Sequence, residues 1–152
     1  VDQDFMEVTY DKFVFRVKKG YLYHPGECWA KEEDGIVTIG LTDFLQKTAG
    51  DVAFIEAPEA GAEVSQGGDA GVIETIKTTV TLVSPASGVI LEINAALEDS
   101  PQLINTDPYG EGWVFRLKPA DWEQDKKALM NDEAYFPMME EKIKKEMEKK
   151  SS

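Results

Sequence analysis

One cysteine, one histidine and almost no positive charge through the middle of the chain are what this 152-residue sequence lacks most visibly. A lone cysteine, Cys28, cannot close an internal disulfide, which fits a reducing compartment and predicts a cytoplasmic protein. One histidine, His24, and one cysteine argue against a zinc site or a Cys-His hydrolase. No run of eighteen apolar residues is present, so no membrane-spanning helix is expected. The opening VDQDFMEV has neither a basic n-region nor an apolar h-region, and no secretory signal is expected from it. The deficit of cations leaves a formal net charge of −13, which argues against nucleic acid and anionic membranes as partners. The acidic surface suits docking to several proteins by charge steering, or solubility alone.

What is there reads as many short strands. Phe13, Phe15 and Val17 alternate with Val14, Arg16 and Lys18, predicting a short strand or an extended arm. YLYHPGECWAK (21–31) contains a Pro-Gly break before Trp29, and Asp34-Gly35 reads as a hairpin turn ahead of a strand IVTIGL. Thr42 suits an N-cap, Asp43 a first turn and Gly50 the position past a helix end, so Thr42 to Ala49 is predicted as a two-turn helix. DVAFIEA then reads as a strand, and Val72 to Ile93 as strand, turn, strand, break at Ser84 to Gly88, strand. APEAGAEV and SPASGVILEI echo each other, as two similar halves meeting at a hairpin would. The segment 95–113 is loop-like, tied down by Leu97, Leu103, Ile104 and Trp113, and WVFRL closes the strand set. From Asp121 the pattern turns helical, with Asn131 or Asp132 as a cap and Pro137 expected to kink or restart the helix. Met139, Ile143 and Met147 recur every fourth residue at the end. The fold class expected is mainly β, a barrel or sandwich, with a C-terminal helical tail. Three segments are expected: an extension over 1–20, a β domain over 21–119 and a helical segment over 120–152. A monomer is expected.

The charge gap singles out one residue. Between Lys47 and Arg116 lie eleven carboxylates and a single base, Lys77; at the chain's frequency of 16 Lys and Arg in 152, roughly seven would be expected. Lys77 falls at the tip of the hairpin made by GVIETI and TTVTLV, exposed, with Glu74 as its only nearby counter-charge. Three readings compete for it. A solvated surface lysine is the usual fate of the residue type. A Schiff-base lysine needs a desolvated pocket, which a polar tip does not supply. A tether for a carrier group suits a stiff hairpin that holds the arm away from its scaffold. His24, beside Pro25, reads as structural; Trp29, Tyr109 and Trp113 read as packing; and glycines 67, 68, 71 and 88 read as turn residues.

ETIK (74–77), SPASG (84–88), ALEDSPQLINTDPYGEGW and GIVTIGLTDFLQKTAGDVAFIEAPEAG (35–61) resemble the glycine cleavage H protein family, over about residues 21 to 136. The resemblance implies a barrel-sandwich hybrid with flanking short helices, and lipoic acid in amide linkage on Lys77. It implies Glu74 as a residue by which a lipoate ligase or lipoyl transferase recognises the hairpin; the alternative for Glu74 is a carboxylate that simply solvates the strand. It also implies a carrier with no turnover of its own. Biotin carriers flank their lysine with methionines, where Ile76 and Thr78 stand here. Lipoyl domains of 2-oxoacid dehydrogenases carry Asp at the position of Ile76. The family's partners are a glycine decarboxylase, a tetrahydrofolate-dependent aminomethyltransferase and a dihydrolipoyl dehydrogenase.

Two positions depart from the family. The glutamate before its N-terminal tryptophan and the aspartate four residues after its lysine align with Cys28 and Thr81. A cationic aminomethyl cargo sheltered in a cleft calls for such carboxylates, whereas sulfur bound to a dithiol does not. The departure leans toward the H-like lipoate-binding proteins of sulfur oxidation, with a heterodisulfide-reductase-like complex as partner and Cys28 as an arm-side thiol; a small buried hydrophobe is the alternative for Cys28. The N-terminal FMEVTYDKFVFRVKKG also lies outside the family's usual extent.

Overall fold

The computed structural model of the chain describes residues 4–151. Residues 1–3 of the expected N-terminal extension and Ser152 of the C-terminal segment lie outside the described residues. The order is β1 (Phe5–Tyr10), β2 (Phe13–Lys18), β3 (Leu22–His24), β4 (Cys28–Glu33), β5 (Ile36–Leu41), α1 (Asp43–Ala49), β6 (Val52–Glu56), β7 (Glu63–Val64), β8 (Asp69–Thr75), β9 (Thr79–Val83), β10 (Gly88–Ile93), α2 (Ala96–Asp99), α3 (Leu103–Thr106), β11 (Phe115–Pro119), α4 (Trp122–Asp125), a 3₁₀ turn and α5 (Asp132–Ser151). The mainly β class follows, with short helices and one long C-terminal helix.

Local chemistry sets most of these boundaries. Asp34 and Gly35 both take positive φ, as a tight I′ turn requires, and join β4 to β5. Thr42 caps α1 by accepting from the Leu45 N–H, and Gly50 ends it at φ 94 while donating to the Gln46 carbonyl. Asn131 caps α5, its Oδ1 accepting from the Ala134 N–H at 2.8 Å. Pro137 does not interrupt that helix: α5 runs through it, and the proline sits exposed on the solvent side. The loop-like stretch 95–113 contains α2 and α3, which Leu97 and Ile104 bury against the core.

Two sheets enclose the main core. One is ordered β3-β4-β5-β11-β10-β7, the other β6-β8-β9. Val37, Ile39, Ile90, Phe115 and Leu117 from the first meet Val52, Ile73 and Leu82 from the second. The two echoing segments pair with each other: β7 and β10 align Gly88 with Val64 and Val89 with Glu63. Gly71 and Gly88 are strand residues rather than turn residues. Gly71 lies at a register shift in β8 with φ 116, where a Cβ would strike the Glu56 carbonyl.

A second core joins the two ends of the chain. The β1–β2 hairpin forms its own sheet, and Phe15 and Val17 pack with Tyr23, Trp29, Phe44, Tyr109, Tyr135, Met139 and Ile143. Tyr23 and Tyr135 stack with centroids 4.5 Å apart. Two backbone hydrogen bonds between Tyr23 and Met130 fix the chain ahead of α5 to β3.

Candidate functional site

The β8–β9 hairpin turns through Ile76, Lys77 and Thr78. Its turn is bolted by one residue. The Thr75 hydroxyl accepts from the N–H groups of Thr78 (2.9 Å) and Lys77 (3.2 Å) and donates to the Ala49 carbonyl (2.7 Å). The Thr75 N–H meets the Thr78 carbonyl at 2.8 Å, and the Ile76 N–H meets the Asp51 carbonyl at 3.0 Å. The tip is therefore fixed to the α1–β6 connection. Asn105 holds that connection in turn, accepting from the Val52 N–H and donating to the Gly50 carbonyl. Every one of these bonds fixes backbone at or beneath the tip and leaves the Lys77 side chain in solvent.

Lys77 is exposed, and no salt bridge to it exists among the described residues. Its Nζ donates to the Thr48 carbonyl at 2.8 Å, at the C-terminal end of α1. Glu74 does not pair with it. A neutral carbonyl is a weaker partner for an ammonium than a carboxylate, so acylation disrupts no ion pair. Glu74 is exposed on β8, opposite Phe54 and Thr79, and faces outward on the same hairpin. The tip thus brings Lys77 and Glu74 onto one exposed element.

Cys28 is elsewhere in character. It is fully buried in β4, opposite Leu41 and His24. Burial, and then the charge of Glu27, push its thiol well above the ordinary range. The arm-side thiol reading is therefore not carried forward: a neutral, enclosed thiol is a poor nucleophile. Native protein at pH 8 should leave Cys28 unmodified by iodoacetamide while denatured protein reacts fully, read by intact mass. Rising pH favours the unfolded chain at this site, since the folded state holds its proton longer. Thr81 is exposed on β9. His24 accepts from the Gly26 N–H through Nδ1 at 2.9 Å, and burial lowers its pKa, in keeping with a structural role. Trp29 and Tyr109 are packed within the second core, and Trp29 Nε1 donates to the Pro108 carbonyl at 2.9 Å.

Glu27 was not legible as special. Its side chain is 8% exposed. It accepts from the Thr42 hydroxyl at 2.8 Å, from the Tyr135 hydroxyl and from Lys142 Nζ at 2.5 Å. Nothing in the sequence separates it from the chain's other carboxylates, because its partners are far along the chain. It joins the N-cap of α1 to α5, at the opposite end of α1 from the lysine.

A two-sheet β body with an exposed lysine at the tip of a rigid hairpin has the form of a carrier for a prosthetic arm. Residues 21–142 match the family model described as Glycine cleavage H-protein. The chain is 44% identical over 127 residues to a probable glycine cleavage system H protein of Thermococcus gammatolerans, covering 83% of this chain and 94% of that one. It is 50% identical over 102 residues to the glycine cleavage system H protein of Saccharophagus degradans, covering 66% and 78%. The crystal structure of a glycine cleavage system H protein from Mycobacterium marinum superposes with a TM-score of 0.73 at 33% identity, covering 80% of this chain and 98% of that one.

The chain belongs to the glycine cleavage H-protein family. That family carries covalently attached lipoate and acts with partner enzymes, without catalysis of its own. The lean toward sulfur oxidation and a heterodisulfide-reductase-like partner finds no support among these relatives. It rested on two positions, and at one of them the thiol is sealed in the core. No helix among the described residues is long and apolar enough to cross a membrane.

Proposed function

We propose that Lys77 bears the lipoyl arm and that the chain serves as an H protein of glycine cleavage. In that role it carries an aminomethyl group from the glycine decarboxylase to the tetrahydrofolate-dependent aminomethyltransferase, and dihydrolipoyl dehydrogenase reoxidises it. The observation that carries the reading is the Lys77 ammonium, exposed and without an ion pair among the described residues, on a turn bolted to the α1–β6 connection. When attached, the arm supplies a dithiolane that opens by reduction or by attack of a nucleophile. It spans roughly 14 Å, by ordinary bond lengths.

The chain's own residues do the mechanical part. Thr75, through Ala49, and Ile76, through Asp51, hold the tip still, so the arm's root has one position relative to the body. The Thr48 carbonyl still has a donor at the arm's root, since acylation leaves one N–H there, now neutral and weaker than the ammonium. Glu74, exposed beside the tip, is the side chain assigned in this reading to recognition by an attaching enzyme.

Lipoylated protein, glycine decarboxylase, glycine and labelled bicarbonate provide the test. Label should exchange into glycine at a rate proportional to lipoylated protein. Absence of exchange with fully lipoylated protein, beside an H protein control that supports it, overturns this pathway.

A further inference from the structure

A concavity beside the β6-β8-β9 sheet has a cavity volume of about 540 Å³. Phe54, Ile55, Ile93 and Pro101 supply its apolar wall. Its position follows from the fold. β6 is the edge strand of the sheet β6-β8-β9, and α2 lies along it. Simple alternation would place Phe54 on the same buried face as Val52. A register shift between them turns Phe54 outward, leaving it 53% exposed while Ile55 packs on the core. Bulges re-aim side chains in this way at functional edges.

The charge around this wall is of one sign. Glu56, Glu59 and Glu98 line the concavity, and each is exposed. None of them forms a salt bridge among the described residues. The charge gap of the sequence falls here: no base but Lys77 lies between Lys47 and Arg116. Ile76, in the β8–β9 turn beside Lys77, is a second exposed apolar side chain, at 77% exposure. Phe54 stands opposite Glu74, which is three residues before Lys77 on the same hairpin. A protein seated on the concavity would lie beside the hairpin that carries Lys77.

We propose that this concavity docks a client enzyme of the arm through a segment that places an apolar side chain against Phe54 and lysines or arginines against Glu56, Glu59 and Glu98. The inference rests on the carrier reading of Lys77. Apolar anchors surrounded by charge complementarity are the usual economy of such contacts: the anchor holds, and the charges steer and select.

Two measurements decide it. In the first, full-length lipoylated ¹⁵N-labelled protein is titrated with a short peptide alternating lysine and leucine, beside one alternating glutamate and leucine. The basic peptide should shift amides at 53–59 and 93–101. The shifts should vanish in Phe54→Ser, in a Glu56→Gln, Glu59→Gln, Glu98→Gln variant, and in about 0.5 M salt, where exposed charges are screened. Shifts confined elsewhere, equal shifts with the acidic peptide, or shifts that survive both variants overturn the proposal. In the second, the same variants are assayed as carriers with purified decarboxylase, aminomethyltransferase and dihydrolipoyl dehydrogenase. KM for the carrier should rise about tenfold with at least one client at unchanged kcat, as loss of an interface anchor predicts. Unchanged KM with every client that accepts the wild-type protein overturns it. If wild-type protein supports no glycine exchange, the pathway falls, and the peptide titration still decides the concavity.

Discussion

Lys77→Arg should abolish lipoyl attachment outright. Protein produced with a lipoate ligase and lipoate should show one lipoyl mass increment in the wild-type chain and none in the variant. The reason is chemical. Amide formation needs an amine that can lose a proton and attack the activated carboxyl. A guanidinium does not deprotonate in proteins, although it keeps the charge and most of the length. The reason for a single increment is geometric. The chain has many other lysines, but Lys77 alone stands at the crest of the β8–β9 turn that Thr75 stitches to Ala49. Stability should change by no more than about 0.5 kcal/mol, since the side chain is exposed and bonded only to the Thr48 carbonyl. A lipoyl increment that persists in the variant moves the attachment to another lysine and removes the basis of the carrier reading.

How far the sequence led depends on how local each feature is. α1 was readable because Thr42, Asp43 and Gly50 each do their work within one helical turn. The β4–β5 turn was readable because Asp34-Gly35 admits positive φ at both positions. The echo of 57–64 and 84–93 pointed to neighbouring halves, and β7 and β10 are hydrogen-bonded. The exposed place of Lys77 at a hairpin tip was readable from the strand patterns GVIETI and TTVTLV on either side of it. What failed was non-local or periodless. The partner of Lys77 is a backbone carbonyl, and carbonyls leave no side-chain signal. α2 and α3 are four residues each, too short for a helical repeat to show. Phe13, Phe15 and Val17 signalled a strand, but its packing against Tyr135, Met139 and Ile143 depends on the far end of the chain. The outward turn of Phe54 comes from a bulge, which the strand's composition conceals.

Glu27 is the residue where such long-range dependence carries the greatest cost. Glu27→Ala should destabilise the fold by about 3 kcal/mol, toward the lower end for breaking a buried charged network. The carboxylate accepts from Thr42, Tyr135 and Lys142, and its removal strands three donors at once. Their environments decide the magnitude. Tyr135 and Thr42 are fully buried, and their hydroxyls would lose a charged acceptor with no solvent to replace it. The Lys142 side chain is 33% exposed and would turn to water, which keeps the loss below that of a fully enclosed pair. Glu27→Gln, which retains an acceptor for the two hydroxyls and forfeits the charge, should lose about 1 kcal/mol. Lys142→Met keeps the hydroxyl bonds but leaves the buried carboxylate without its counter-charge, so it should cost more than Glu27→Gln. For a chain of this size the alanine variant should unfold about 6–12 °C lower. Urea midpoints for the three variants would check the order. A Glu27→Ala midpoint matching that of Glu27→Gln would show that the hydroxyl bonds contribute little.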